Sequence, residues 1–368
     1  MDKMKVSLAI FMVGTFPPPT HGMAAVNAAV CDRLRSKTKD GEIFVVNTSA
    51  NGLDRSIFAR LSRLPSIVKG LAQLMTVRHH RGGALYIGVS GGSGQIYDVL
   101  FLLLARFLGM RVFVHHHSFA YLRSRKKLMM LLVRVAGQKA VHVTQCVKMQ
   151  EELERLYAVR CAEAISNVVF LANPASVYGG QPRASLRSVG FLSNVAVEKG
   201  ILIFLDLMEE MHKVRLPLRG EIAGPFQDSA TEHLVRQRMS KLPNVEYVGP
   251  KYKQEKELFL NCIDVLIFPT IYVNETEGLV NLEAMRFAVP VIAYGRGCVP
   301  SIVNNNCGCV IPPGEPFLPY AIAQLQHWLN SPDVFRGASD AAARNYRGLQ
   351  AEHMVRWERL EDKIIGVV

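Results

Sequence analysis

Short apolar runs alternate with longer stretches of helical periodicity along almost the whole chain. This alternation restricts it to an α/β fold with parallel sheets. The run Val265-Leu-Ile-Phe268 is the clearest case. It is apolar at every position, as a central parallel strand covered on both faces must be. A polar turn, Pro269 to Gly278, follows it. The turn leads into a helix that aims Leu279, Leu282, Met285 and Phe287 at a core.

The same reading places strands at Val6–Val13, Ile43–Asn47, Leu85–Val89, Val112–His116, Val141–Thr144 and Ile165–Leu171. Helices are expected at Met23–Leu34, Ser56–Thr76, Ile96–Leu108 and Tyr121–Val135, with one more between the last two strands. The stretch Asn173–Pro182, with two glycines and two prolines, breaks the alternation and reads as a linker. A second series follows, with strands at Ser188–Leu192, Glu221–Gly224, Val245–Val248, Val265–Phe268, Pro290–Ala293 and Val310–Ile311, and three closing helices from about Pro319. The expected architecture is therefore two doubly wound, Rossmann-like domains facing a cleft. The boundaries are residues 1–174, a linker at 175–187, a second domain at 188–345, and a helix over 346–368 that packs back towards the first domain.

No apolar run among the 368 residues approaches a membrane span. Met1–Val13 resembles a signal peptide at first sight. It runs straight into Gly14-Thr-Phe-Pro-Pro-Pro19 without a small-residue cleavage site and reads as a first strand. The seven cysteines show no zinc spacing, and buried thiols are expected rather than a disulfide or a metal site. Charge is unevenly spread. Residues 1–185 hold 24 Lys and Arg against 10 Asp and Glu, whereas the remainder holds 19 against 21. A basic half with apolar helices suits an anionic partner. The amphipathic, cationic segments Leu61–Val77 (with Arg60, Arg63 and Lys69) and Leu122–Val135 (with Arg123, Arg125, Lys126 and Lys127) suit a membrane interface, or else simply pack on a sheet. No aromatic-interleaved basic stripe points to nucleic acid.

Several positions are candidates for chemistry. Glu275 and Glu283 stand eight residues apart, about 12 Å if the segment were all helix, which suits two polar groups of one elongated ligand. Alternatively Asn274 caps the helix, Glu277 completes a capping box, and neither Glu275 nor Glu283 has a ligand. The loop Phe16–Gly22 lies between the first strand and its helix, where Gly22 lets a ligand approach the backbone. It is not a G-x-G-x-x-G, which disfavours nicotinamide cofactors. In His115-His116-His117, alternation sends His115 and His117 to one face, and one imidazole there could serve a substrate hydroxyl or phosphate; core packing is the other reading. Ser193-Asn194 and Glu198-Lys199-Gly200 follow the first strand of the second domain, where Lys199 is a natural diphosphate partner or simply a surface lysine.

Together these pieces resemble the GT-B glycosyltransferases, specifically the retaining enzymes of glycosyltransferase family 4. The resemblance rests on Glu275-x7-Glu283 with Leu282-Glu-Ala-Met285 and Val289-Pro-Val-Ile292. It rests also on Pro17-Pro-Pro-x-x-Gly22, Val189-Gly-Phe-Leu-Ser with Glu198-Lys-Gly200, Ile222-Ala-Gly-Pro225 and Gly249-Pro-Lys-Tyr252. It implies that Glu275 holds hydroxyls of a donor sugar and Glu283 the ribose of its nucleotide. The amides around Thr276, Gly278 and Leu279 would meet sugar and diphosphate. Lys199 and the Gly22 backbone would neutralise the leaving group, with Ser193 and Asn194 beside it. His117 would sit near the anomeric centre, with His115 as the fallback. His21, His115, Arg123 and Lys126 are the acceptor-side candidates. Phe191 stands where the family often has Arg, Glu277 where an aromatic is common, and Ser301 where an acid is common.

The resemblance implies a retaining sugar transfer from a nucleotide-sugar without metal or other cofactor. The acceptor would be a lipid-linked or saccharide precursor of a surface polysaccharide, on the first domain. The implied place is the cytoplasm, peripheral at the inner face of the membrane, with the basic domain against anionic lipid. A GT-B-like nucleotide-sugar epimerase and a non-catalytic nucleotide-sugar binding module are the alternatives.

Overall fold

The structure, a computed structural model, describes residues 8–18, 22–38, 42–49, 63–76, 82–171 and 180–367. The chain forms two compact units. One is Met1–Phe170 with Glu352–Val368, and the other is Leu171–Ala351. Each is built on a parallel six-stranded sheet.

The first sheet has the order β2-β1-β3-β4-β5-β6. Its strands are β1 (Ile10–Gly14), β2 (Ile43–Asn47), β3 (Ala84–Val89), β4 (Arg111–His116), β5 (Val141–Thr144) and β6 (Ala162–Ala164). The connecting helices are α1 (Gly22–Lys37), α2 (Leu64–Thr76), α3 (Gln95–Phe107), α4 (Lys127–Ala136) and α5 (Val147–Tyr157). β1, β3 and the apolar middle of β4 are buried throughout, as their unbroken apolar runs require. Gly14 and Gly88 close these strands around one side chain. A Cβ on either would stand 2.7 or 2.8 Å from the amide nitrogen of Asn27, which donates to the Thr15 carbonyl at 3.0 Å.

Two expectations fail here. The helix foreseen from Tyr121 begins only at Lys127, because Tyr121 and Leu122 are buried in the preceding turn. Tyr121 Oη bonds His116 Nδ1 at 3.1 Å, and Tyr157 Oη donates to the Tyr121 carbonyl at 2.6 Å. The strand foreseen at Ile165–Leu171 is a 3-10 turn, Asn167–Phe170, and pairing stops at Ala164. The Phe170 ring meets Trp357 edge-to-face at 4.7 Å, so its apolar residues pack instead of laddering.

The second sheet has the order β12-β11-β10-β7-β8-β9. Its strands are β7 (Ser188–Leu192), β8 (Arg219–Ala223), β9 (Val245–Gly249), β10 (Val265–Phe268), β11 (Val291–Tyr294) and β12 (Gly308–Ile311). The helices are α6 (Ile201–Lys213), α7 (Ser229–Met239), α8 (Lys253–Cys262), α9 (Leu279–Arg286), α10 (Val299–Ile302), α11 (Phe317–Asn330) and α12 (Pro332–Ile365). Two helices, not three, close the chain. α12 runs unbroken for 34 residues, and its part from Glu352 belongs to the first unit. There the buried carboxylate of Glu361 is paired with Lys37 at 2.6 Å and Arg33 at 3.5 Å. Of the foreseen linker, residues 175–179 lie outside the described residues, and 180–187 form neither helix nor strand.

Candidate active site

In the second unit, strand order reverses between β7 and β10. Open α/β sheets bind ligands at the carboxyl edge of such a switch point. Two loops meet there, Ser193–Gly200 after β7 and Pro269–Gly278 after β10. Gly200 sets their separation: its φ is +87°, and a Cβ would stand 2.1 Å from the Pro269 carbonyl oxygen. No other residue permits that approach. Ser193 is half-buried and Asn194 exposed on the first loop.

Lys199 ends a 3-10 turn, Val197–Lys199, and its Nζ donates to Glu275 Oε2 at 2.7 Å. Thr270 Oγ1 donates to the same oxygen at 3.4 Å. The ammonium also stands 4.7 Å from the centroid of the Tyr272 ring, a cation–π contact. The Glu275 side chain is only 10% exposed, and that of Lys199 is 23% exposed. An ammonium has three N–H donors, so the bond to Glu275 leaves two for a bound anion.

Glu283 lies on α9, and Lys256 of α8 donates to its Oε1. Each candidate carboxylate thus carries a lysine. The eight-residue spacing is not a run of helix, because Glu275 lies in the loop. The alternative in which Asn274 and Glu277 cap the helix is not realised. α9 starts at Leu279 with Gly278 as N-cap, at φ +58°. A Cβ on Gly278 would stand 2.7 Å from the Phe268 ring, so glycine folds the turn onto the end of β10. Glu277 is buried, and Asn281 Nδ2 donates to its carbonyl at 3.1 Å. Thr276 and Leu279 are half-buried beside it. The Asn281 amide donates to the Gly278 carbonyl at 2.8 Å, and the amides of Leu279 and Val280 before it sit at the positive dipole end of α9.

In the first unit, strand order reverses between β1 and β3. Gly22 opens α1 there and is exposed, whereas His21 lies outside the described residues. β4 ends in the three histidines. The rings of His115 and His117 share a face, as alternation predicts, with centroids 3.9 Å apart. His115 is fully buried and bonds Tyr86 Oη through Nδ1 at 2.6 Å. His116 bonds His142 at 2.9 Å. Burial, then neighbouring imidazoles, holds His115 and His116 well below the usual histidine range. His117 is half-buried, with Gln145 Nε2 at 3.1 Å from its Nδ1, and is the histidine of the three that reaches solvent. Arg123 and Lys126 are exposed in the turn before α4. Beyond β3, Asp98 accepts from the Ser90 amide at 2.9 Å and is fully enclosed. Burial pushes its carboxyl up to about 7, against the opposing pull of the Ser90 bonds and the Arg63 charge. Among the described residues no three His, Cys, Asp or Glu side chains gather as metal ligands would.

Residues 187–326 match the family model described as glycosyl transferases group 1. They form a group 1 glycosyltransferase domain. The O-antigen chain mannosyltransferase C of Escherichia coli is 29% identical over 160 residues, 43% of this chain and 41% of that protein. The alpha-monoglucosyldiacylglycerol synthase of Streptococcus pneumoniae is 28% identical over 147 residues, 39% of this chain and 32% of that protein. The matches thus span less than half the length of these curated relatives. Among solved structures, Anabaena HepE in complex with UDP and glucose superposes with a TM-score of 0.68 at 15% identity, covering 96% of this chain and 99% of that one. Sucrose-phosphate synthase from Thermosynechococcus elongatus superposes at 0.70 with 14% identity, covering 98% of this chain and 100% of that one. The fold is GT-B, two Rossmann-like domains in one chain.

Two basic residues of the group 1 domain escape the sequence reading. Lys256 reaches Glu283 across 27 positions from another helix, and nothing local marks it. Arg296 stands between two glycines just after β11, a pattern that does invite attention. Its Nε is buried with no hydrogen-bond partner among the described residues. Gly297 beside it packs on the turn, since a Cβ there would stand 2.3 Å from the Glu275 carbonyl oxygen. Phe191, buried against Phe204, offers no charge.

Proposed function

We propose that this protein is a retaining glycosyltransferase that moves a sugar from a nucleotide-diphosphate sugar to a lipid-linked or saccharide precursor of a surface polysaccharide. The observation that carries this reading is the Lys199–Glu275 pair at the sheet's switch point, beside the N-terminus of α9. The UDP in the HepE structure supports a nucleotide donor. The O-antigen and glycolipid relatives support the acceptor class. Retention rests on the resemblance of the Glu275-x7-Glu283 motif to retaining enzymes.

The chemistry follows from charge. Departure of a nucleotide diphosphate puts negative charge on the leaving oxygen, and fixed cations and dipoles there lower the barrier. Lys199, with two N–H donors to spare, and the α9 amides supply them in the group 1 domain. Glu275 accepts from sugar hydroxyls and fixes the ring relative to that charge. Glu283 accepts from the ribose and fixes the nucleotide. Neither acts as an acid or base. The resemblance assigns the Gly22 backbone to the diphosphate and His117 to the anomeric carbon. No metal or other cofactor is invoked. The basic N-terminal domain takes the acceptor at the inner face of the cytoplasmic membrane.

Isothermal titration against a panel of nucleotide-sugars is expected to find one tight donor, and NMR of the product an unchanged anomeric configuration. No binding across the panel, an inverted product, or an epimer formed without acceptor would each overturn the reading.

A further inference from the structure

Helix α3 exposes a continuous apolar stripe. Ile96, Leu100, Leu103 and Phe107 are all exposed, and Phe107 is 87% so. At about 100° per residue these four project within about 60° of one another. Phe101, Leu102 and Ala105 on the opposite face are buried, as is Val99 at the flank of the stripe.

α3 packs against α2 on one side and α4 on the other. α2 repeats the pattern: Leu64, Val68 and Met75 are exposed on one face, Val68 by 63% and Met75 by 67%. α4 contributes exposed Leu131 between exposed Lys127 and Arg134, one turn to either side. The turn before α4 adds exposed Arg123, Arg125 and Lys126. The sole acid in the three helices is Asp98, which is 2% exposed and faces inward. Monomers rarely leave such an apolar area uncovered.

We propose that the outer face of α2, α3 and α4 docks on an anionic lipid surface, with Phe107, Leu103 and Met75 entering the acyl boundary and Lys127, Arg134 and the Arg123–Lys126 turn meeting the headgroups. The charge selects this occupant. A two-fold interface would set the same cationic patch against itself, with no exposed acid in these helices to answer it. An anionic membrane supplies both the apolar layer and the counter-charge. None of the described helices is long and apolar enough to cross the bilayer, so the contact is lateral. The inference deepens the membrane part of the proposed function by naming the face and the side chains.

The test is co-sedimentation of the full chain with vesicles of phosphatidylcholine alone, or with about one third phosphatidylglycerol. The protein is expected in the pellet with the anionic vesicles only. Leu103→Glu with Phe107→Glu is expected to cut that binding at least about tenfold, and Lys127→Ser with Arg134→Ser about thirtyfold, at roughly fivefold per cation. All four side chains are exposed, so unchanged circular dichroism is expected of both variants. Light scattering without lipid is expected to give one mass for wild type and variants. Wild type that stays in solution with anionic vesicles, variants that still sediment, or a dimer that Leu103→Glu with Phe107→Glu dissociates would overturn the assignment. Nucleotide titration of the same variants keeps the readings apart: intact donor binding with lost sedimentation bears on this face alone, and absent donor binding in wild type bears on the transferase reading alone.

Discussion

Replacing Lys199 by alanine removes the cation that faces Glu275 at 2.7 Å. The carboxylate, 10% exposed at its side chain, still accepts from Thr270 Oγ1 at 3.4 Å. Breaking a fully buried pair costs about 3–5 kcal/mol, and the partial exposure of Lys199 reduces this to about 2–3 kcal/mol. For a unit of this size that is a fall in melting temperature of about 5–10 °C. Glu275→Gln removes the charge and keeps the shape, so it is expected to cost about 1 kcal/mol. In the double variant the stranded charge is gone. Calorimetry should then show a loss smaller than the sum of the single losses by about 1–2 kcal/mol. In turnover, Lys199→Ala is expected to lower kcat by about a hundredfold or more, because a leaving-group cation is lost. Additive melting shifts would refute the coupling, and unchanged turnover would refute the placement of Lys199 at the diphosphate.

The buried carboxyl of Asp98 gives a pH test. Its folded value, pushed up to about 7 by burial, lies above that of an unfolded aspartate, so the folded chain binds the extra proton. Its favourable contribution is complete at acid pH and is lost as pH rises towards about 7. Relative to wild type, Asp98→Asn should gain up to about 4 kcal/mol between pH 4 and 7, in urea titrations, and hold level above. A flat difference would contradict it. Gly200→Ala forces a Cβ onto the Pro269 carbonyl at φ +87° and is expected to destabilise by more than about 2 kcal/mol in calorimetry, and to weaken donor binding as Lys199 shifts. Glu283→Ala is expected to raise the donor Kd about tenfold in isothermal titration with kcat little changed, as loss of a nucleotide contact made in ground and transition state alike should.

The fold was legible where a strand's covering is unambiguous. β2, β5, β7 and β10 stand at the residues that periodicity assigns, because apolar runs of four or five bounded by turns have little else to form. Misreadings fall where tertiary bonds override local pattern. Tyr121 is held by His116 and Tyr157, which delays α4, and Phe170 packs on Trp357 in a 3-10 turn. At the site, the loops and the glycines that shape them can be seen in the sequence. The charge partners cannot. Lys256 meets Glu283 only through the packing of two helices, and the bond of Lys199 to Glu275 spans 76 positions. The stripe on α3 is not legible in the sequence, because an apolar crossover helix carries the same residues whether its outer face is covered or bare.

Asn27 has a bearing on how this chain can change over time. Its amide fills the space that Cβ atoms at Gly14 and Gly88 would take. Positions 14, 27 and 88 therefore form one mutational unit. Alanine at either strand position is barred while asparagine stays, and becomes admissible once position 27 turns small. Descendants should cross between the two solutions in a fixed order, the helix residue shrinking before a strand glycine is replaced. The intermediate, with glycines retained over a small residue, carries a void about the size of an amide, costing on the order of 1–2 kcal/mol. A chain with little stability to spare has no ready way across.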